Sequence, residues 1–373
     1  SLLLNYKKTG LIKSLIYLLT GGKTMYTAIT EKVTTNWKAG VTVGLVSLPL
    51  AISLAVAAGT TPVAGVLTAI WAGLIASLFG GSNFNIVGPT GALAGLLVIY
   101  AQTFGVNSLP MLAIISGIFI LLAYLFRLEK YLIFIPGSAL HGFILGVSTI
   151  IILNQIHAAL NIPNLPRTGR VLHDAYQALF HLSNLHWPTF LLFFSSLVFL
   201  IILSYTFSKI PGTIILAPLG VVFGYLCSLE ILPWHIQTLG TKFGSFQATL
   251  FQIPSFSLRL AYLFPAISIA AISILETLIS AKIADGLTRT KHDKRKEVFG
   301  LGIANIITGF VGGIPATAAL ARTALNIKSG CSHKISAGIS SFTVAIISLF
   351  FLSYFQYLPL AVIASILVFV SIN

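Results

Sequence analysis

Charge is what this sequence has least of. Acidic residues number 8 in 373, charged residues of both signs make up 8%, and hydrophobic residues 56%. A water-soluble protein of this length needs a charged skin, and too little charge is present to make one. There are only two cysteines, Cys227 and Cys331, without metal-ligand spacing, which excludes a disulfide framework and a cysteine metal centre. Period-2 alternation is missing, which argues against a transmembrane barrel. The glycine-rich stretch GLGIANIITGFVGG at 300–313 lacks a following Gly-Lys-Ser/Thr, so a nucleotide loop is not expected. No nucleophile–base pair emerges either, and an enzyme is not expected.

What is present is apolar runs long enough to cross a bilayer, roughly 20 residues each. Hydropathy places segments at about 38–58, 62–80, 84–104, 109–126, 131–156, 188–207, 210–228, 261–281, 298–313, 316–328, 334–353 and 356–372. The chain reads as an all-α polytopic membrane protein. The stretches 157–187 and 229–260 read as loops carrying short surface helices.

The net charge of +14 does not point to nucleic acid. The sharpest basic run, KHDKRK at 291–296, has no aromatic stacking platform beside it and reads as a cytoplasmic loop. With the N-terminus inside and each segment crossing once, only Arg167, Arg170, Lys242 and Arg259 fall outside. All other Lys and Arg except Arg322 fall inside, as the positive-inside rule requires. This orientation fits a multi-pass protein of a bacterial inner membrane. The opening SLLLNYKKTGLIKSLIYLLTGGK is a poor signal peptide. It reads as an interfacial helix or as sequence upstream of a native start at Met25, and the second is preferred.

Small residues hide a repeat. TGALAG at 90–95 matches TAALAR at 317–322, and ISLAVAAG at 52–59 matches ISAKIADG at 279–286, both at an offset of 227. The repeat relates segment 1 to segment 8 and segment 3 to segment 10. Seven crossings per half is odd, so the second half must be inverted in the membrane. Seven plus seven predicts two further segments beyond those present.

Segments 3 and 10 open on β-like stretches, FNIVGPTG at 84–91 and FVGGIPATA at 310–318. Pro89 and Pro315 are expected in the first turn of half-helices, whose free amides and positive dipole ends would meet near mid-membrane. Two such ends make an anion site, and broken backbone at that depth is tolerated only where it lines a cavity. The plainer alternative is a pair of proline kinks in bundle helices.

Two ionisable residues lie inside segments, Glu276 and Arg322. Each costs at least ~2.5–3.5 kcal/mol at the bilayer centre and so marks a pathway by default. Glu276 with Ser280 one turn on suits Na⁺ or H⁺. Arg322 suits an anion or pairs with Glu276, and the two readings are compatible. Other positions are weaker. His141 reads as a packed residue, His173, His181 and His186 with Asp174 fit no metal spacing, and Asn305 reads as a hydrogen bond between helices.

EVFGLGIANIITGFVGGIPATAALARTALNIKSG at 297–330 resembles the signature region of the sulfate permease family of anion transporters. So do AGVTVGLVSLPLAISLAVAAG at 39–59 and FGGSNFNIVGPTGALAG at 79–95. The resemblance covers most of 38–373. It implies a seven-plus-seven inverted-repeat fold, working as a homodimer, in which a core moves against a gate. The core would be 38–130 and 261–353, the gate 131–260 with its second part starting at 354–373, and 1–37 an N-terminal tail. By resemblance Thr90, Gly91, Ala92, Ala319, Leu320, Ala321 and Arg322 line the anion site, with Ser53 and Leu54 facing the same cavity. Glu276 and Ser280 fall where relatives couple a cation, with Na⁺ a candidate coupling ion and no other cofactor implied. The chain departs from the family at Leu67, where a Tyr is usual, and lacks the C-terminal STAS domain and the last two segments.

Three readings follow for the substrate. The first is coupled transport of sulfate or bicarbonate. The second is a passive channel or exchanger for chloride, bicarbonate or dicarboxylate, with Glu276 only balancing Arg322. The third, a nucleobase transporter, would want more hydrogen-bonding side chains where this chain has alanines.

Overall fold

The computed structural model describes residues 2–134, 137–162, 171–207, 211–254 and 256–372, and side chains from residue 30 onward apart from 132–134, 137–141, 143 and 144. Lys7, Lys8, Lys13, Lys23, His141, Arg167, Arg170 and Lys209 lie outside the described side chains.

The helices are α1 (Leu2–Ala57), α2 (Pro62–Phe79), α3 (Gly91–Phe104), α4 (Leu109–Leu125), α5 (Gly137–Leu160), α6 (Val171–Phe180) and α7 (Trp187–Thr206). They continue with α8 (Gly212–Ser228), α9 (Leu239–Phe243), α10 (Leu263–Thr288), α11 (Lys294–Phe310), α12 (Leu320–Lys328), α13 (Ile335–Phe351) and α14 (Leu360–Ile372). Two short strands, β1 (Val87–Gly88) and β2 (Thr317–Ala318), pair antiparallel with Val87 opposite Ala318 and Gly88 opposite Thr317.

Among the described residues, six helical spans are long and apolar enough to cross a membrane: Thr30–Ala57, Pro62–Phe79, Val106–Leu125, Trp187–Thr206, Leu260–Thr288 and Ile335–Tyr357. Shorter apolar helices add Gly91–Phe104, Leu145–Leu160, Gly212–Ser228 and Leu360–Ile372. Ten of the twelve hydropathy segments overlap these spans; those expected at 298–313 and 316–328 fall on α11 and α12, which are not among them. Two helix ends also differ from expectation. Helix α11 starts at Lys294, four residues before the expected 298, because Asp293 caps it by accepting from the Arg295 and Lys296 amides at 3.1 Å. Helix α10 runs on to Thr288, past the expected 281.

Local chemistry explains the breaks. Thr61 caps α2 and Pro62 occupies its first position, where a missing N–H has no consequence. Pro49 and Pro218 sit inside α1 and α8, where each removes one backbone donor from the helix. The long stretch 229–260 carries α9, opened by a capping box between Thr238 and Thr241. The stretch 157–187 carries α6.

Packing is densest within two sets of helices, which also touch: α3 lies against α5, and α1 against α14 and α8. Helix α1 lies against α13 and α2, α4 lies against α11, and α10 lies against α4 and α11. Helix α14 lies against α5 and α7, and α8 lies against α7. The stretch 229–260 is fastened to both groups. The Leu239 amide donates to the Leu358 carbonyl at 3.0 Å and the Leu360 amide to Gln237 at 2.9 Å, just ahead of α14. Farther on, Trp71 of α2 donates its indole N–H to the Leu250 carbonyl at 2.6 Å, and the Gln252 amide donates to Val311 at 3.0 Å.

Candidate functional site

The β1–β2 pair brings two helix beginnings side by side. Thr90 and Ala319 are the N-caps of α3 and α12, both with extended backbone, and no side chain caps either helix. The first-turn amides therefore have no intrahelical acceptor, and both dipoles present their positive ends at one place. The prolines do not sit in the first turns, as expected from sequence. Pro89 precedes the N-cap of α3, and Pro315 lies ahead of β2, where each holds the lead-in extended.

The register of the repeat also shifts. Counted from the N-caps, Thr90 corresponds to Ala319, an offset of 229 rather than 227. Thr317 lies in β2 instead of at a cap, and the α3 residue in the place of Arg322 is Leu93 rather than Gly95.

Thr90 is turned away from its own helix. Its hydroxyl donates to Oε2 of Glu276 on α10 at 3.0 Å. Arg322, third residue of α12, is 2% exposed. Its Nη2 donates to the Pro89 carbonyl at 2.6 Å, while the buried Nη1 has no hydrogen-bond partner. No ion pair within 4.0 Å joins Arg322 to Glu276 among the described residues, so the direct pairing considered from sequence is not formed. The guanidinium lies against Gly88, where an added Cβ would come within 2.9 Å of Nη1. Gly91 admits Ile151 of α5 to the start of α3, a position that any side chain would fill. Ala92, Ala319 and Leu320 are half-buried, and Ala321 is exposed.

The structure thus brings Thr90, Gly91, Glu276 and Arg322 together with both half-helix starts. The other expected positions stand apart. Ser53 is fully buried and donates to Pro49 of its own helix at 2.8 Å, and Leu54 packs in the core. Ser280 is fully buried, and its hydroxyl faces Asn85 Oδ1 at 3.0 Å and Thr323 Oγ1 at 3.1 Å rather than Glu276. Asn305 bonds as an interhelical clamp would, but to the lead-in of β2: it donates to the Ala316 carbonyl at 2.9 Å and accepts its amide at 2.8 Å.

A supporting network was not visible in the sequence. Thr317 donates to the Ser273 carbonyl at 3.0 Å, so its contact of 2.8 Å with Thr277 uses the Thr277 proton. The Ala318 amide donates to Thr277 at 3.1 Å, fixing β2 on α10. Thr323 accepts the Ile86 amide at 3.2 Å, tying α12 to the lead-in of β1. Asn85 donates to Glu297 Oε1 at 2.6 Å, while Oε2 accepts the Gly81 and Ser82 amides at 2.7 Å each. Every buried carboxylate oxygen of Glu297 is therefore satisfied, as burial of a charge demands. The arrangement can receive an anion at backbone amides and a guanidinium, with a carboxylate one hydroxyl away.

Comparison with known proteins gives the same picture. The family model described as "Sulfate permease family" matches residues 34–373. The Bacillus subtilis protein YvdB is 34% identical over 339 residues, 90% of this chain and 63% of YvdB. The bicarbonate transporter BicA of a Picosynechococcus strain is 26% identical over 343 residues, 88% of this chain and 59% of BicA. The chain thus spans about three-fifths of the length of these relatives. Among solved structures, the transmembrane domain of a cyanobacterial BicA aligns with a TM-score of 0.80 at 24% identity, covering 91% of this chain and 88% of that domain. The murine anion transporter Slc26a9 in its inward-facing state aligns with a TM-score of 0.80 at 16% identity, covering 90% and 59%. At these identities the structural likeness shows the fold, that of a multi-pass membrane protein. With a family model matched over nearly its whole length, the chain belongs to the sulfate permease family.

Proposed function

We propose that this chain is the membrane part of a carrier that moves a small inorganic anion, sulfate or bicarbonate, coupled to Na⁺ or H⁺. One observation carries the reading: β1 and β2 bring two uncapped helix N-termini together beside the unpartnered Nη1 of Arg322. Amide donors and a guanidinium recognise oxyanions. The anion binds at the starts of α3 and α12, touching Thr90, Gly91, Ala92 and the Ala319–Arg322 turn. Glu276 takes up the cation or proton, and its bond to Thr90 links the two events.

The two packing groups support a movement of α1–α4 and α10–α13 as core against α5, α7, α8 and α14 as gate. The carrier operates as a homodimer in a bacterial inner membrane with a cytoplasmic N-terminus. The exchanger reading also has an observation in its favour. Glu276 lies in the same site as Arg322 and balances its charge without any cation.

Uptake of radiolabelled sulfate and bicarbonate by the full-length protein in proteoliposomes, with Na⁺ and pH gradients imposed, tests this. Coupled uptake should fall at least about tenfold in Glu276→Gln, about 1.4 kcal/mol of barrier. Undiminished gradient-driven uptake in that variant sinks the coupling assignment. Flux indifferent to both gradients in the unaltered protein establishes the exchanger.

A further inference from the structure

The turn joining α10 to α11 carries Arg289 and Lys291, and the first turn of α11 adds Lys294, Arg295 and Lys296, all exposed. The acidic residues near it are turned elsewhere. Asp285 accepts from Thr290 Oγ1 at 3.1 Å, from His292 Nδ1 at 2.7 Å and from the His292 amide at 3.0 Å. Glu297 is spent on the Gly81 and Ser82 amides and Asn85. Asp293 faces the cations through Lys296 at 3.7 Å, both side chains largely in solvent, and Glu129, between Arg127 and Lys130 in the sequence, is buried. The exposed charge here is therefore mainly positive.

A second strand of the same patch comes from α4. The Arg295 guanidinium lies 4.8 Å above the Tyr124 ring, which brings Arg127 and Lys130 beside the turn. Arg127 and Arg289 follow the ends of α4 and α10 with left-handed backbone, φ 57° and 56°, where glycine is the easy residue. Next to these cations the helix ends expose large apolar side chains: Leu125 and Phe126 of α4's end, Leu78 and Phe79 of α2, and Leu287 of α10. Exposed cations beside exposed apolar side chains suit a phospholipid, which carries a phosphate next to acyl chains.

We infer that this collar binds the headgroups of anionic phospholipids. Its net charge selects an anionic headgroup over a zwitterionic one, and the apolar side chains select a lipid over a free anion. The collar includes the end of α10, so the lipid attaches to the helix that carries Glu276. The inference rests on no part of the transport reading.

Native mass spectrometry of the full-length protein in detergent, offered equal amounts of phosphatidylglycerol and phosphatidylcholine, tests it. The protein should retain phosphatidylglycerol in preference by about tenfold, a preference that added NaCl erodes. The triple variant Lys291→Gln, Lys294→Gln, Lys296→Gln should lose it. Arg289→Gly, which relieves the left-handed backbone and so keeps the fold, should weaken it. Purified protein has already been inserted, so a charge that acts only to set orientation would leave retention unchanged. Equal retention of the two lipids, or a triple variant that behaves like the parent, overturns the proposal. So does displacement of the lipid by inorganic phosphate at equal concentration.

Discussion

Arg322 is held by one carbonyl, with its other terminal nitrogen unpartnered and buried. A guanidinium in that position is costly unless something accepts from it, and an oxyanion would. Replacing it by glutamine should lower apparent anion affinity ten- to a hundredfold, about 1.4–2.8 kcal/mol, while leaving any gradient dependence in place. The concentration dependence of uptake measures this, and unchanged affinity removes Arg322 from the site. Gly88 provides a second test. A methyl group there meets Nη1 and Nη2 at 2.9 and 3.2 Å, so Gly88→Ala should displace the guanidinium and cost about 1–3 kcal/mol of stability. Thermal unfolding together with uptake reads both effects. Thr90, Glu276 and Arg322 were legible in the sequence because a Gly-Pro-Thr break or an ionisable group stands out in an apolar run. Thr277, Thr317, Thr323 and Asn85 were not. Small hydroxyl and amide residues are common in membrane helices, and only the fold shows which face each other. Glu297 was hidden by its place beside KHDKRK, where a carboxylate reads as solvated.

At the scale of elements, the half-helices were legible and their exact beginnings were not. The Gly, Pro and Thr cluster predicts that a helix starts nearby, but proline before a cap and proline in a first turn leave the same letters. The pairing of β1 with β2 decided the matter, and a two-residue strand has too little pattern to be read from sequence. The same limit explains why the repeat offset of 227 gave way to 229 between the caps. The loop between α12 and α13 has its own device. Asn36 of α1 accepts the Ser332 amide at 2.7 Å and the His333 amide at 3.1 Å, and the Ile335 amide donates to His333 Nδ1 at 3.2 Å. That last bond needs an unprotonated Nδ1. Burial, with Lys32 and Lys334 adding to it, holds the imidazole below its ordinary value of 6.5. The folded state thus binds fewer protons than the unfolded one just below 6.5. Stability is full above the ordinary value and declines as pH falls through the depressed folded one. Unfolding temperature should drop as pH falls below about 6.5, and His333→Gln should flatten part of that slope. An unchanged slope in the variant would assign the dependence to other groups.

For the whole molecule, hydropathy was enough to anticipate where most of the apolar helices lie, since the bilayer enforces long apolar helices. How those helices associate was not legible, because an apolar face looks alike whether it meets lipid or a neighbour. Trp187–Thr206 shows this: it is among the most hydrophobic spans, yet Leu191, Phe194, Ile202 and Tyr205 are exposed. The division into two packing groups came from the contacts. Between the groups runs the stretch 229–260, bonded at Leu239 to the lead-in of α14 and at Leu250 to Trp71. Residues 244–249 link the two fastenings, and Phe246 and Ala248 pack against the apolar core on the way. Fully extended, the segment reaches roughly 20 Å. Under the proposed movement of core against gate, that segment is what must give, with Phe246 and Ala248 sliding on the apolar surface they pack against. Deleting Ser245 and Phe246 should shorten the stroke, slowing uptake severalfold while anion binding persists. Adding a Gly-Ser pair at the same place should leave the rate intact. Unimpaired uptake after the deletion would mean that transport requires no sliding across this seam.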